Sequence, residues 1–543
     1  MVQSSAKNEM TADAKDASAW NPLKIPLFRA LWLATIASNI GTWMHDIGAG
    51  WLMTSLSPAP VMVALVQTAT TLPIMFLALP AGALADIIDR RRYLLVIQVW
   101  LASVAAMLAV LTIVGAMTAW MLVALTFAMG IGAAMMMPAW AAVTPEIVPR
   151  SELQSAIALN SMGMNVARAI GPAIAGVIVS GAGACAVFAL NALSFLGVMA
   201  VLFVWKRETV EMTLPAERFF SALRTGFRFA RHHGPLQGAV IRGTGFFLFA
   251  SAPWALLPLI AKDLVGGGPQ TFGILVAAIG AGAVLGALVL PRLRKKITKD
   301  FLVAGATVLY AVAMLALAFL TNLPALVVAM ILSGMAWIAV LSSLQVAAQL
   351  ALPNWVRSRG LAVFMATFMG SMALGSLMWG NVAQHTTIAT ALVVAAVGAV
   401  LAIGLTWRWK IGAIDEIDLT PSMHWPSPVT HEGVTPDKGP VMVTIGYEVN
   451  EAERGSFLTF VRDLGKRRKR DGAFVWGVIE DTETPNRFVE YFMVESWLEH
   501  LRQHERVTNA DRVLQDRLRG FLVPGSKPEI KHYVTPDRKE NKS

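Results

Sequence analysis

From about Phe28 to Trp409 the chain is a succession of runs of some 20 to 28 mainly apolar residues, separated by short polar breaks. Nothing else in the sequence limits the fold so strongly. A hydrocarbon layer of ~30 Å is crossed by about 20 residues of α-helix at ~1.5 Å per residue, so each run is long enough to span a membrane. The runs must be helical, because no water lies at that depth to satisfy an open backbone. Twelve spans are predicted, in the order 28–54, 60–87, 93–114, 119–144, 153–180, 184–205, 236–260, 271–291, 300–320, 324–350, 357–381 and 387–409. Composition agrees, with 55% of the 543 residues hydrophobic and only 15% charged.

Charge orients the spans. Five alternate loops together hold 17 Lys/Arg, whereas the six between them hold one, Lys262. Basic loops stay on the inner side of a membrane, so both termini are predicted in the cytosol of a multi-pass protein of the cell inner membrane. The polar first 25 residues read as a cytosolic tail with no signal-peptide pattern. The net charge of +10 resolves into +13 over the first 410 residues and −3 from Ile411 onward. The basic excess therefore belongs to the membrane part, and nucleic acid is excluded as a partner. A single cysteine, Cys185, rules out an intrachain disulfide. The predicted organisation is a tail (1–25), a six-helix half (26–205), an amphipathic cytosolic linker (206–235), a second six-helix half (236–410), a polar linker (411–440) and a soluble domain (441–543).

The two halves are related. At an offset of 204 residues Gly82 and Leu84 align with Gly286 and Leu288, Gly171 with Gly375, and Gly176 with Gly380. The first copy, with Gly82, Leu84, Asp86, Arg90 and Arg91, resembles the loop signature of the major facilitator superfamily. Glycine permits close helix approach, the carboxylate can bind an arginine or a helix N-terminus, and the arginines fix the inner face. The resemblance implies that Gly82, Asp86, Arg90 and Arg91 form a conformational latch on the cytosolic side. In the second copy Asp86 is replaced by Leu290, so only the first latch is complete. The run Asn165 to Gly176, with Gly226-Phe227-Arg228-Phe229, is similar to the enterobactin-exporter-like branch, which implies export of siderophores, drugs or other small molecules.

Charges at membrane depth are functional candidates, because each costs a few kcal/mol unless paired or hydrated. Asp46 is the candidate proton-coupling carboxylate, and its neighbour His45 could share the proton or hold substrate, although adjacent residues point about 100° apart on a helix. Arg168 reads as a cavity charge that either meets an anionic substrate group or pairs with Asp46. Arg242 is expected to snorkel to the inner interface. Met162, Met164, Met365, Met369 and Met372 are candidate cavity lining, and Trp43 and Trp254 suit interfacial anchoring or substrate stacking.

The soluble domain reads as strand, helix, strand, strand, helix, strand, an α+β ferredoxin-like unit whose open sheet face predicts self-association or docking. It resembles antibiotic-biosynthesis-monooxygenase domains through Ser496-Trp497 and the helix that follows. His500 and His504 share a helix face, yet no third ligand follows at convincing spacing, so no metal is predicted and the two are read as polar surface beside a core Trp497. The basic run Lys466 to Arg470 reads as touching anionic lipid or as a solvated helix end. No cofactor is expected, and no phosphate-cradling Gly-rich loop supports ATP drive. The sequence thus predicts a secondary transporter, not an enzyme, coupling a small-molecule substrate to protons in a lipid bilayer. A second reading makes it a membrane-tethered enzyme or sensor acting on the transported molecule.

Overall fold

The apolar runs are helices in the computed structural model, which describes residues 20–149, 151–205, 229, 231, 233–353, 356–411, 422, 435 and 438–535. They are α1 (Pro26–Leu56), α2 (Pro60–Ile87), α3 (Arg90–Ile113), α4 (Ala119–Ile147), α5 (Leu153–Val204), α6 (Gly234–Leu259), α7 (Pro269–Arg294), α8 (Lys299–Phe319), α9 (Leu323–Leu350), α10 (Arg357–His385) and α11 (Ile388–Thr406). Ten of the described helices, α5 counted once, are long and apolar enough to cross a membrane. The two spans expected at 153–180 and 184–205 are both present and share the label α5; they meet at Gly183, whose φ of +80° breaks the helix. A residue without Cβ adopts this positive φ at no steric cost, so the chain passes from one helix to the next with no separate loop. Most of the predicted linker at 206–235 lies outside the described residues.

By contacts the chain divides into two units: Met1–Phe219, Val240–Gln345 and Phe364–Arg408 in one, Phe220–Ala239, Val346–Val363 and Trp409–Ser543 in the other. In the first unit the repeat is visible as packing. A methyl on Gly171 in α5 would lie 2.7 Å from Trp43 Cβ of α1, and one on Gly375 in α10 would collide with Ser251 and Leu248 of α6. Equivalent glycines thus seat equivalent helices, as small residues do at helix crossings in membranes. Gly82 departs from its expected role. Its nearest neighbour would be Pro138 Cβ at 4.0 Å, whereas a methyl on its counterpart Gly286 would meet Met335 Cα at 2.9 Å. Close approach is needed in the second copy and not in the first.

The second unit holds a four-stranded antiparallel sheet of β1 (Val441–Glu448), β2 (Val475–Glu480), β3 (Arg487–Val494) and β4 (Glu529–Val534), in the order β2-β3-β1-β4. Alternation puts Val441, Val443, Ile445 and Tyr447 of β1, with Phe488 and Phe492 of β3, on the inner face. There they pack with Phe457 and Val461 of α12 (Arg454–Arg470) and with Trp497. The helix expected over 496–521 is two, α13 (Trp497–Arg506) and α14 (Asn509–Arg519), because Thr508 and Asp511 form a capping box that starts a new helix.

Two residues of the basic run of α12, Arg468 and Arg470, turn inward, against the expectation of a lipid-facing or solvated end, while Lys466 stays exposed. Arg468 Nε donates to the wholly buried Glu490 at 3.1 Å, whose carboxylate also accepts from Trp476 Nε1 at 2.9 Å and Tyr447 Oη at 2.8 Å. Arg470 binds Asp471 at 2.6 Å and Asp511 at 3.4 Å, and its guanidinium lies 5.7 Å from the Phe229 ring. Burial and the Glu490 carboxylate hold the Tyr447 phenol well above its usual range. Removing one partner from a buried pair strands the other charge. Glu490→Ala is therefore expected to destabilise the sheet domain by about 3 kcal/mol, read as faster hydrogen exchange of β3 amides in the full-length protein.

Candidate functional site

Helix crossings position the site. Gly176 of α5 faces α7, where an added methyl would lie 2.9 Å from Pro269 O and 3.3 Å from Gly273 Cα. Gly380 of α10 faces α2, 3.2 Å from Val61 Cα on the same measure and against Ala64. The two contacts are counterparts at the 204-residue offset, and each joins one half to the other. Thr68 Oγ1 of α2 adds a hydrogen bond to Ala373 O of α10 at 3.2 Å. Lys262, the one basic residue of the six lightly charged loops, donates to Thr54 O at the end of α1 at 2.6 Å. These contacts all fall toward the ends of the helices remote from the arginine-rich loops.

Beneath this closure a cavity of ≈ 130 Å³ is lined by residues of four helices, two from each half. Trp43, Asp46, Ile47 and Gly50 come from α1, Val66, Gln67 and Thr70 from α2, Trp254 and Pro258 from α6, and Phe272 and Val276 from α7. A water molecule occupies roughly 30 Å³, so the space takes a few waters and excludes a drug-sized molecule, which needs about 300 Å³ or more. Asp46 is the cavity's one acidic group, and among the described residues its carboxylate has neither a hydrogen bond nor an ion pair. Gln67 and Thr70, which nothing in the sequence singled out, supply the other polar side chains.

The predicted pathway residues separate. His45 is 2% exposed, its ring 5.0 Å from that of Phe188 in α5, and neither nitrogen has a hydrogen-bond partner among the described residues. The 100° step along α1 turns it away from the cavity, as the spacing required. Arg168 does not pair with Asp46, nor with any carboxylate among the described residues. Its guanidinium lies 5.6 Å from the Trp43 ring, a cation–π contact with a cavity wall. Trp254 also lines the cavity, and none of the five candidate methionines does.

The predicted latch residues are tied within their own half. Arg90 binds Glu146 of α4 at 2.5 Å, and Arg91 donates to Leu202 O at 2.9 Å and Phe203 O at 2.5 Å, capping the end of α5. Asp89 accepts from Arg92 N and caps α3. The side chain of Asp86 lies outside the described residues. In the second half Arg242, expected to snorkel, is buried instead. It meets Asp300 of α8 at 2.8 Å and sits 5.2 Å from the Trp407 ring.

In the sheet domain His500 and His504 are joined by a third histidine. His532 of β4 stands opposite Val443 on the helix-covered face, and the ring nitrogens of the three fall within 4.8 Å of one another. His500, predicted at the surface, is 1% exposed. Burial, with His532 and His504 alongside, pushes its imidazole down to about 3. Absence of a third ligand was a statement about sequence spacing. The fold supplies one.

The transmembrane secretion effector model of the major facilitator type matches residues 17–540. The chain belongs to that family. Its members are transporters, and the protein is accordingly a multi-pass secondary transporter; the match runs through the sheet domain as well as the helices. The staphyloferrin A transporter of Staphylococcus aureus is 25% identical over 342 residues, covering 62% of this chain and 85% of its own. An enterobactin exporter of Salmonella typhimurium is 25% identical over 398 residues, 73% and 95% of the two chains. Among solved structures, an auto-inhibited POT family peptide transporter superposes with a TM-score of 0.60 at 13% identity, covering 72% of this chain and 98% of its own. A bacterial homolog of the human lysosomal transporter Spinster, inward-facing and unoccupied, gives 0.55 at 14%, covering 71% and 95%.

The glycine contacts of this transporter allow no added bulk. In a Cys185→Ser background, Gly380→Val is expected to part the halves, so that a cysteine placed at the cavity wall by Val66→Cys reacts at least about tenfold faster with a polar thiol reagent added opposite the arginine-rich loops.

Proposed function

We propose that the protein exports a small organic molecule, of the siderophore, drug or metabolite class, by proton antiport and alternating access. The observation that carries this reading is the unpartnered Asp46 carboxylate in a water-sized cavity at the meeting of the two halves. Such a group can take up a proton without breaking a structural bond, and it sits where a change of contacts between the halves alters its hydration. The relatives that export siderophores support the direction and the substrate class.

In this scheme twelve helices cross the inner membrane, α5 counting as two and α1 as one, and the N-terminal tail, the linker 206–235, the linker 411–440 and the domain 441–543 lie in the cytosol. The closure at the ends remote from the basic loops then corresponds to an inward-open state. Arg168, held beside the cavity by Trp43, meets an anionic group of the substrate once the central space opens. His45 packs α1 on α5 in this state and enters the pathway only when α1 rotates. Gly82, Asp86, Arg90 and Arg91 latch the cytosolic side in the opposite state, for which Arg90 and Arg91 exchange their present partners. The monooxygenase-like, ferredoxin-like domain self-associates through its outer sheet face, where Ile479 is more than half exposed and Tyr533 nearly half.

Proton-driven flux of candidate siderophores and drugs in proteoliposomes tests the scheme. Asp46→Asn is expected to abolish uphill, proton-driven transport while leaving downhill exchange, and Arg168→Ala to raise the half-saturating concentration of anionic substrates about tenfold or more. Wild-type coupling in both variants overturns the assignment. Deleting 411–543 separates the readings, since flux that persists makes the domain accessory and flux that vanishes with the helices still folded supports a coupled enzyme or sensor.

A further inference from the structure

Three of the chain's nine histidines converge in the sheet domain, and they come from elements with no reason of sequence to meet. His500 and His504 are one turn apart on α13, and His532 is brought under that helix by the register of β4 on β1, which sets it opposite Val443. The Nε2 atoms of His500 and His504 face each other at 3.3 Å. Two imidazole nitrogens on a tetrahedral ion, each at ~2.05 Å, are separated by about 3.3 Å, so one edge of a coordination tetrahedron already has its length. The rings are splayed, with His500 and His504 at 85° and His500 and His532 at 55°, so that their nitrogens converge instead of stacking.

Two further observations point to a ligand. His500 Nδ1 and the Oε1 of Gln503, both buried on the same face of α13, are close enough to interact, yet neither completes a well-formed hydrogen bond among the described residues. A histidine bound to a metal through one nitrogen characteristically donates its other N–H to a nearby oxygen, and Gln503 provides one. The cluster is also graded in exposure, His500 lying at the bottom against Trp497 while His504 and His532 are partly open. An ion can enter from that side, and a water can complete its shell there.

We propose that His500, His504 and His532 bind a divalent transition-metal ion. Three imidazoles with no carboxylate in the set select borderline ions such as Zn²⁺, Cu²⁺, Ni²⁺ or Co²⁺ over Mg²⁺ and Ca²⁺, which require oxygen ligands. The site needs no redox step and stands independently of the transport scheme.

The test uses the full-length protein in detergent, without any affinity tag, stripped with a chelator and titrated with Co²⁺ as a coloured probe and then with Zn²⁺ in competition. One equivalent of Co²⁺ is expected to develop the intense visible absorption of a four- or five-coordinate ion and to be displaced by Zn²⁺. His532→Gln and His504→Gln are each expected to weaken binding at least about 100-fold, and Gln503→Leu about 10-fold. His385→Gln, at the end of α10 in the other unit, should leave it unchanged. The hydrogen-exchange pattern of β1 and β3 establishes that each variant is folded, and His504→Gln, at the partly open position, carries the test if His532→Gln does not fold. A Co²⁺ spectrum that stays that of the aqueous ion, or equal affinity in a folded variant lacking His504 or His532, overturns the proposal and leaves the cluster as packing against Trp497.

Discussion

The meeting of backbone with backbone at Gly176 on α7 and Gly380 on α2 is the constraint on which the transport unit depends. Lipid tails are as apolar as leucine, so burial alone gives two helices no reason to prefer each other over the bilayer. What holds them is close van der Waals contact, and that requires the absence of side chains at the crossing. The same contacts enclose the space around Asp46, since α1, α2, α6 and α7 are drawn together by them. Because the contacts are weak one by one and related by the internal repeat, they can be exchanged for an equivalent set elsewhere along the helices at small net cost. Affinity between the halves is therefore set by shape, and a carboxylate sits where the shape changes.

Charge follows a different rule. Arg242 with Asp300, and Arg468 with Glu490, are buried pairs in which each charge is met by an opposite one and by an aromatic face, Trp407 in the first and Phe492 in the second. Among the described residues Asp46 and Arg168 have no countercharge, although both lie at membrane depth. Each of these structural pairs joins opposite charges, whereas Asp46 and Arg168 adjoin one cavity wall at Trp43.

Much of the architecture was legible in the sequence because it rests on local period and on repetition. Apolar runs of helical length, the 204-residue offset, and the alternation of Val441 to Tyr447 need no knowledge of what lies across the chain. The helix step of 100° also foretold that His45 and Asp46 would diverge. What escaped depends on register and partner. Glu146, Asp300 and Glu490 are ordinary acidic residues until the fold sets an arginine beside them, and Arg468 and Arg470 looked solvated because a run of like charge usually is. His532 could not be joined to His500 from spacing, since the pairing of β4 with β1 decides which face it occupies. Gly82 carried a motif's glycine without the crowding that normally explains one.

Gly183 also bears on how such a chain enters its membrane. The kink between the two arms of α5 falls at Gly183, and the stretch from Ser180 to Ala184 around it carries no charged side chain, while the arms on either side are apolar throughout that region. Carrying it across hydrocarbon exposes only a few backbone groups, without the cost of several kcal/mol that a charged loop would add. Insertion of the two arms of α5 therefore carries no charged-loop cost at their junction.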